Sequence, residues 1–293
     1  MAFSGKYAPS YRRMNPYISV SGIENVEQAR ALISHFYKTN CKSHRLELAV
    51  LASQLTLHGI KTDPRWLLRT EISQMAREVS EGDKSLIFSV HFANQNTEGL
   101  SKEKLAELNT PTSTDGNDES WRQLNRTIEV SGMPGIFERS HGAAYGVQAN
   151  LGWDEGAMAN FRRIKNQYSR IETCMEVRDT ASAILLHSYD SIDHLVVNLP
   201  HQEGKGFDAE SSVSAAVLFL TQNPYLTMGF VGGLRPETIG VAISGIAHAA
   251  HTTQFSVGLE SGVRTDGKFD TGKAMAAIST ATEEFRKLAQ RPF

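Results

Sequence analysis

Short apolar or alternating runs recur along the chain, separated by stretches whose apolar positions fall three and four residues apart. The first set lies near 17–21 (Tyr-Ile-Ser-Val-Ser), 45–51, 86–92, 145–151, 171–177, 194–198, 226–231 and 255–259, and reads as strands. The second set, at 25–38, 64–79, 101–108, 154–168, 179–189, 209–222, 236–250 and 271–289, reads as helices. Asn25 stands where a helix needs a side-chain cap, and Pro236 where the first helical turn needs no amide donor. This alternation predicts βαβ units and a parallel sheet. Alone, it suits either a closed (βα)8 TIM barrel or an open doubly wound sheet.

Two connections are longer than a barrel requires: 55–63, after the second strand, and 109–142, before the fourth. The longer insert carries Thr-Pro-Thr-Ser-Thr-Asp-Gly-Asn-Asp over 110–118 and then a short helical pattern over 121–128. Loops of this size serve as lids, interface elements or disordered inserts. Residues 1–16 hold Lys6, Arg12 and Arg13 among Ser, Tyr and Pro, without the apolar stretch of a signal peptide. They are expected to form an N-terminal arm, with 17–293 as one α/β barrel domain.

Composition narrows the partners. The chain has 293 residues and 40% hydrophobic content, enough for one large core and longer than a minimal barrel of roughly 250 residues. Lys plus Arg (30) nearly balances Asp plus Glu (32), so no net field favours nucleic acid or an anionic membrane. No run of about 18 apolar residues is available to span a bilayer. A small ligand is expected. Cys41 and Cys174 have no close-set Cys/His group around them, which argues against a zinc site or a disulfide framework. The expectation is a cytoplasmic protein, without metal or organic cofactor, and a homodimer by the general frequency of symmetric pairs.

The late part of the chain carries the strongest motif. Phe-Val-Gly-Gly-Leu-Arg-Pro-Glu-Thr over 230–238 and Phe-Ser-Val-Gly-Leu-Glu-Ser-Gly-Val-Arg over 255–264 each run from a strand into a glycine corner. Backbone N–H groups at such corners can approach an anion closely, and a following helix adds partial positive charge. In (βα)8 barrels a phosphate cup is commonly built after strands seven and eight, where the strand count puts these segments. The expected phosphate ligands are Gly232, Gly233, Leu234 and Arg235 with Ser261, Gly262 and Val263. The bland alternative is that both corners need glycine only for packing.

Here the chain resembles the phosphoribosylanthranilate isomerase family, whose corresponding segments read Gly-Gly-Leu-x-Pro-Glu-Asn and Val-Asp-Val-Ser-Ser-Gly-Val-Glu. Three more segments agree. Val-Ser-Gly-Ile-Glu-Asn-Val-Glu-Gln-Ala over 20–29 is similar to the family's first-strand motif, Gly-Val-Gln-Ala-Asn-Leu-Gly over 146–152 to its fourth strand, and Gly-Lys-Gly-Phe-Asp over 204–208 to the segment after its sixth. The last places Lys205 and Asp208 beside the expected pocket. The resemblance implies a (βα)8 barrel that rearranges a phosphoribosyl amine: an acid protonates the furanose oxygen and a base removes the C2 proton.

The family's base is a cysteine ending strand one and its acid an aspartate ending strand six. This chain has Ser21 and Asn198 there. A serine hydroxyl supplies little anionic base unless a neighbour activates it, and an amide has no acidic proton. The standard isomerisation is therefore not expected of Ser21 and Asn198 alone. Glu260 also stands where the family has serine, and would repel a phosphate unless it points away or pairs with Arg264 or Arg235.

Catalytic groups of barrels sit at strand C-termini and can migrate between them. The candidates are Glu47 on strand two, His91 on strand three and Glu176 on strand five, with Lys205 and Asp208 after strand six. Each has a plain structural alternative: Glu47 facing outward, His91 as a hydrogen-bonded core histidine, Glu176 as part of a solvated helix start with Arg178 and Asp179. His248 and His251, three apart on a helix, lack the rest of a zinc motif and are read as surface or packing residues. The charges at 283–287 belong to a solvated helix face. Trp121 and Trp153 are either core anchors or loop covers. Three readings follow: an enzyme on a small phosphorylated sugar-like metabolite, an isomerase with re-recruited residues, or an inactive barrel serving as a binding or assembly protein.

Overall fold

The computed structural model describes residues 16–39, 43–57, 59–61, 63–93, 136–137, 142–149, 162–168, 171–177, 192–199, 207–222 and 227–290. Eight strands form a closed, all-parallel barrel in chain order: β1 (Tyr17–Ser21), β2 (Arg45–Ala52), β3 (Leu86–Phe92), β4 (Ala144–Ala149), β5 (Ile171–Val177), β6 (His194–Val197), β7 (Thr227–Phe230) and β8 (Phe255–Leu259). Closure is made by β1 on β8, with Ile18 opposite Val257 and Ser19 opposite Gly258. That pairing removes both sheet edges and rules out the open sheet.

The strands hide their apolar residues on the outside of the barrel. Successive side chains of a strand point to opposite faces. In β3, Leu86, Phe88, Val90 and Phe92 join the layer beneath the helices, which leaves Ser89 and His91 facing the axis. In β2, Leu46, Leu48 and Val50 pack outward while Glu47 turns in. The helices meet this layer with their own stripes: Ala29, Leu32 and Phe36 of α1 (Val26–Lys38), and Ile72, Met75 and Val79 of α3 (Arg69–Ser80). A one-turn helix, α2 (Gln54–Leu57), lies between them in the chain. The series continues with α4 (Ala209–Gln222), α5 (Ile239–Ala250) and α6 (Thr271–Leu288), whose Ala277, Ile278, Ala281 and Phe285 are buried. Each such Leu, Ile or Phe contributes about 1.5–3 kcal/mol. Asn25 caps α1 by accepting from Gln28 N, and Asp270 caps α6 by accepting from Lys273 N.

The barrel floor is ionic. Arg45 donates to both carboxylate oxygens of Glu172, at 3.0 and 3.4 Å, and His194 Nε2 lies 3.3 Å from the same carboxylate. The Tyr17 ring meets His194 edge-on. Burial pushes Glu172 up, but His194 and Arg45 outweigh it and hold the carboxyl down at about 2.

After β8, a 3₁₀ turn (Ser261–Val263) leads into a small hairpin of β9 (Arg264–Thr265) and β10 (Lys268–Phe269), which the hydrophobic pattern did not reveal. Asp266 and Gly267 turn it with φ of 50° and 74°, the left-handed geometry of a tight hairpin. Arg264 bolts this hairpin to the end of β1, donating to Gly22 O at 3.2 Å, to Gly267 O at 2.9 Å and to Glu24. Gly22 has φ of 77°, and a Cβ there would come within 2.9 Å of the Arg264 guanidinium.

Some boundaries shift. The helix expected from 64 begins at Arg69, because Leu67 N bonds Leu51 O and Trp66 bridges to Leu51, drawing the chain along β2. The helix expected from 236 begins at Ile239, because Thr238 Oγ1 accepts from Arg235 N and closes a separate turn. The helices expected at 101–108 and 179–189, the first half of 154–168, and the arm except Pro16 lie outside the described residues. So does most of the 109–142 insert, though Phe137 stacks on Phe88 and Tyr145. Among the described residues no helix is long and apolar enough to cross a membrane.

Candidate active site at the C-terminal mouth of the barrel

A cavity of about 200 Å³ opens at the C-terminal ends of the strands and reaches down to Tyr17. It exists because the inward positions of β7 and β8 are small: Gly229, Ser256 and Gly258. A Cβ on Gly258 would come within 2.8 Å of Val231, and one on Gly229 within 2.9 Å of Ser256 Oγ. Ser19, Ser21, Glu47, His91, Gln148, Glu176 and Asn198 form the opposite wall.

Three candidates meet there. Ser21 Oγ lies 3.3 Å from His91 Nδ1, and His91 Nε2 lies 4.0 Å from Glu47 Oε1, beyond hydrogen-bond reach. Glu47 thus faces inward and is only 6% exposed. Burial pushes its carboxyl up, but His91, with help from the hydroxyls of Ser19 and Ser89, more than offsets this and holds it below the ordinary value. Two buried atoms on this wall, His91 Nε2 and Ser19 Oγ, act on Glu47 by proximity, and among the described residues neither makes a contact of hydrogen-bond geometry. On the far side, Asn198 Nδ2 donates to Glu176 Oε1 at 2.8 Å. Burial drives the Cys174 thiol well up, and its Sγ donates weakly to Gln148 Oε1 at 3.5 Å, which suits an inert core group.

The two glycine corners touch. A Cβ on Gly262 would fall 1.9 Å from Leu234 O. Gly232 and Gly233 have φ of 96° and 65°, a left-handed path that turns the chain over the mouth. Among the described residues, no bond is donated by the backbone N–H groups of Gly232, Gly233, Leu234, Ser261 or Gly262. Two other expected ligands are engaged internally, since Arg235 N donates to Thr238 Oγ1 and Val263 N to Glu260 O. Asp208 is exposed and caps α4 through Ser211, away from the cavity. Lys205 lies outside the described residues. Neither expected partner of Glu260 reaches it: Arg264 is held by Glu24, and the guanidinium that approaches Glu260 is Arg65, at 3.9 Å and over the Trp66 ring.

Ser19, Ser89, Gln148, Ser256 and Arg65 were not singled out from the sequence. A polar residue every second position within an apolar strand was the available signal for the first four. Arg65 carries no such signal, because its place depends on the turn at 63–66. His248 and His251 have rings 6.3 Å apart, with His251 as the left-handed C-cap of α5. Among the described residues no three His, Cys, Asp or Glu side chains converge as a metal-ligand set.

No protein-family model and no curated protein matches the chain. Solved structures do. TrpF from Jonesia denitrificans superposes with a TM-score of 0.55 at 15% identity, covering 94% of this chain and 98% of that one. A fungal endo-beta-N-acetylglucosaminidase of glycosyl hydrolase family 18 gives 0.53 at 13%, covering 91% and 97%. A chain of the tryptophan synthase complex of Pyrococcus furiosus gives 0.50 at 9%, covering 94% and 98%. With such different proteins alike at such low identity, the likeness, together with the closed eight-stranded sheet, makes this chain an α/β (βα)8 TIM barrel.

Proposed function

We propose that the protein binds a small phosphorylated sugar-like metabolite at the barrel mouth and isomerises it by a carbon-acid step. One observation carries this reading. The two positions where the resembling family keeps its base and acid, Ser21 and Asn198, each contact a titratable side chain from another strand: His91 on β3 and Glu176 on β5. Each lost role passes to that neighbour.

His91 is then the base. Ser21 holds its Nδ1, Nε2 is the open nitrogen, and Glu47 is the negative charge that the imidazolium faces once a C2 proton is taken. Glu176 is the acid: Asn198 Nδ2 donates to its Oε1 and holds the carboxyl at the cavity, from which it passes a proton to the ring oxygen of the sugar. The free N–H groups of the two glycine corners supply the phosphate cup, and the five-segment sequence resemblance to phosphoribosylanthranilate isomerases supports the same substrate type.

The test is incorporation of solvent deuterium at C1 of the aminoketose formed from a phosphoribosyl amine, the carbon that is reprotonated once C2 has lost its proton. Wild type should incorporate deuterium, while His91→Asn and Glu176→Gln should each lose it by about 10²–10⁴-fold with phosphate binding retained. Binding of phosphosugars without exchange in wild type, and without rescue of a tryptophan-requiring strain, would instead favour a binding barrel that has lost catalysis.

A further inference from the structure

Three side chains from the ends of β1, β3 and β2 stand in line: the buried Ser21 hydroxyl is 3.3 Å from His91 Nδ1, and the other ring nitrogen faces the Glu47 carboxylate at 4.0 Å. A neutral imidazole has one N–H and one lone pair. With the proton on Nδ1, the ring is the base of the isomerisation proposed above. With the proton on Nε2, the N–H points through space at a carboxylate that His91 itself helps to keep ionised, and Nδ1 accepts the Ser21 O–H. The Glu47 charge favours this second tautomer. It makes Ser21 a hydroxyl in contact with a base, with an orienting carboxylate behind that base, which is the arrangement an activated nucleophile needs. The Ser21 corner is also rigid. Gly22 turns the chain away with φ of 77°, its N–H donates to Ala49 O at 3.0 Å, and its carbonyl accepts from Arg264 at 3.2 Å, so the hydroxyl is held at the cavity. The same cavity is lined by Gly232 and Gly233, whose N–H groups bond no described acceptor.

We infer that the barrel mouth has a second activity, hydrolysis of a short uncharged carboxylic ester with Ser21 as the nucleophile. Ser21 Oγ bonds the ester carbonyl carbon while its proton passes to His91 Nδ1, and the carbonyl π electrons move onto the oxygen, where the N–H groups of the glycine corner receive the charge. The carbonyl then re-forms, its bond to the alcohol oxygen breaks, and the alcohol leaves with the proton from His91. Water repeats the sequence on the acyl-serine: His91 takes a proton from it, its oxygen bonds the acyl carbon, and Ser21 departs with that proton. Glu47 faces the imidazolium in both halves. The charged side chains that line the cavity among the described residues are Glu47, Glu176 and Glu260, so an acyl group beside Ser21 is favoured when it carries no negative charge. A volume of about 200 Å³ keeps that group short. This goes beyond the isomerisation, which uses His91 and forms no bond to Ser21.

The experiment treats the intact protein with diisopropyl fluorophosphate and, separately, with para-nitrophenyl acetate, reading the modified residue by peptide mass mapping and the turnover by nitrophenolate release. Ser21 should carry the phosphoryl adduct, formed with loss of fluoride, and acetate turnover should fall in step with it. Ser21→Ala should end both, and His91→Asn should slow both by about 10²–10⁴-fold. Should His91→Asn fail to fold, native and urea-unfolded wild type are compared: Ser21 should be modified in the native protein alone, because only there does it meet His91. An unmodified Ser21 in native wild type, modification as fast in His91→Asn or in urea as in the native protein, or acetate turnover that survives Ser21→Ala overturns the inference. Each of those results leaves the isomerisation to its own deuterium test.

Discussion

Gly262 lies flat against the carbonyl of Leu234, so close that a side chain there would put its Cβ 1.9 Å from the oxygen. The contact joins the corner after β8 to the corner after β7. Both partners are backbone, so neither can swing aside. Gly262→Ala should therefore cost about 2–3 kcal/mol through overpacking and abolish stabilisation by phosphate, read as the loss of the ligand-dependent rise in Tm. An alanine variant that melts and binds like wild type would show that the corners do not depend on this contact.

Ser21→Cys places a thiol beside the His91 ring, where Ser21 Oγ now lies 3.3 Å from Nδ1. A neighbouring imidazole stabilises a thiolate, so the new cysteine should react with iodoacetamide below its ordinary range of about 8.5. The effect should vanish in the His91→Asn background. Equal alkylation profiles in the two backgrounds would sever Ser21 from His91.

The floor of the barrel makes the fold acid-sensitive. Glu172 titrates near 4.5 when unfolded and at about 2 in the barrel, a depressed folded value. Its contribution is complete above about 4.5 and is lost as pH falls toward 2, on the order of a few kcal/mol. Glu172→Gln should flatten that part of the acid unfolding curve. At neutral pH it should also cost about 3–5 kcal/mol, because Arg45 remains buried without its counter-charge.

His44 acts in a different window. It is buried among Phe36 and Phe285, with Nε2 3.1 Å from Thr282 Oγ1, and burial lowers it from 6.5 to about 4. The unfolded chain takes up the proton first, so stability declines as pH falls from about 6.5 to about 4 and levels off below. The decline should be on the order of 3 kcal/mol. His44→Gln keeps a hydrogen-bonding group and removes the titration. If its Tm still tracks wild type across that range, another group is responsible.

Much of the fold was legible because strand periodicity is local. β1, β5 and β8 have the boundaries read from the sequence, since runs such as Tyr-Ile-Ser-Val-Ser alternate cleanly between an outer apolar and an inner polar face. Glu47 shows the limit. Its neighbours Leu46 and Leu48 mark an alternation but not which face is inside, and only the apolar layer under the helices settles that it points to the axis. The hairpin at 264–269 was missed because its strands have two residues each, too short for any period.

The sequence by itself determined the order and type of the eight barrel strands and of the longer described helices, and the glycines at the two late corners, because these follow from side-chain spacing and backbone freedom within a few residues. Only the tertiary structure decided that the sheet closes, that Ser21 and Asn198 lie against His91 and Glu176, and that Arg65 rather than Arg264 approaches Glu260. Those contacts join residues from separate strands and loops, and it is closure of the barrel that sets such distances.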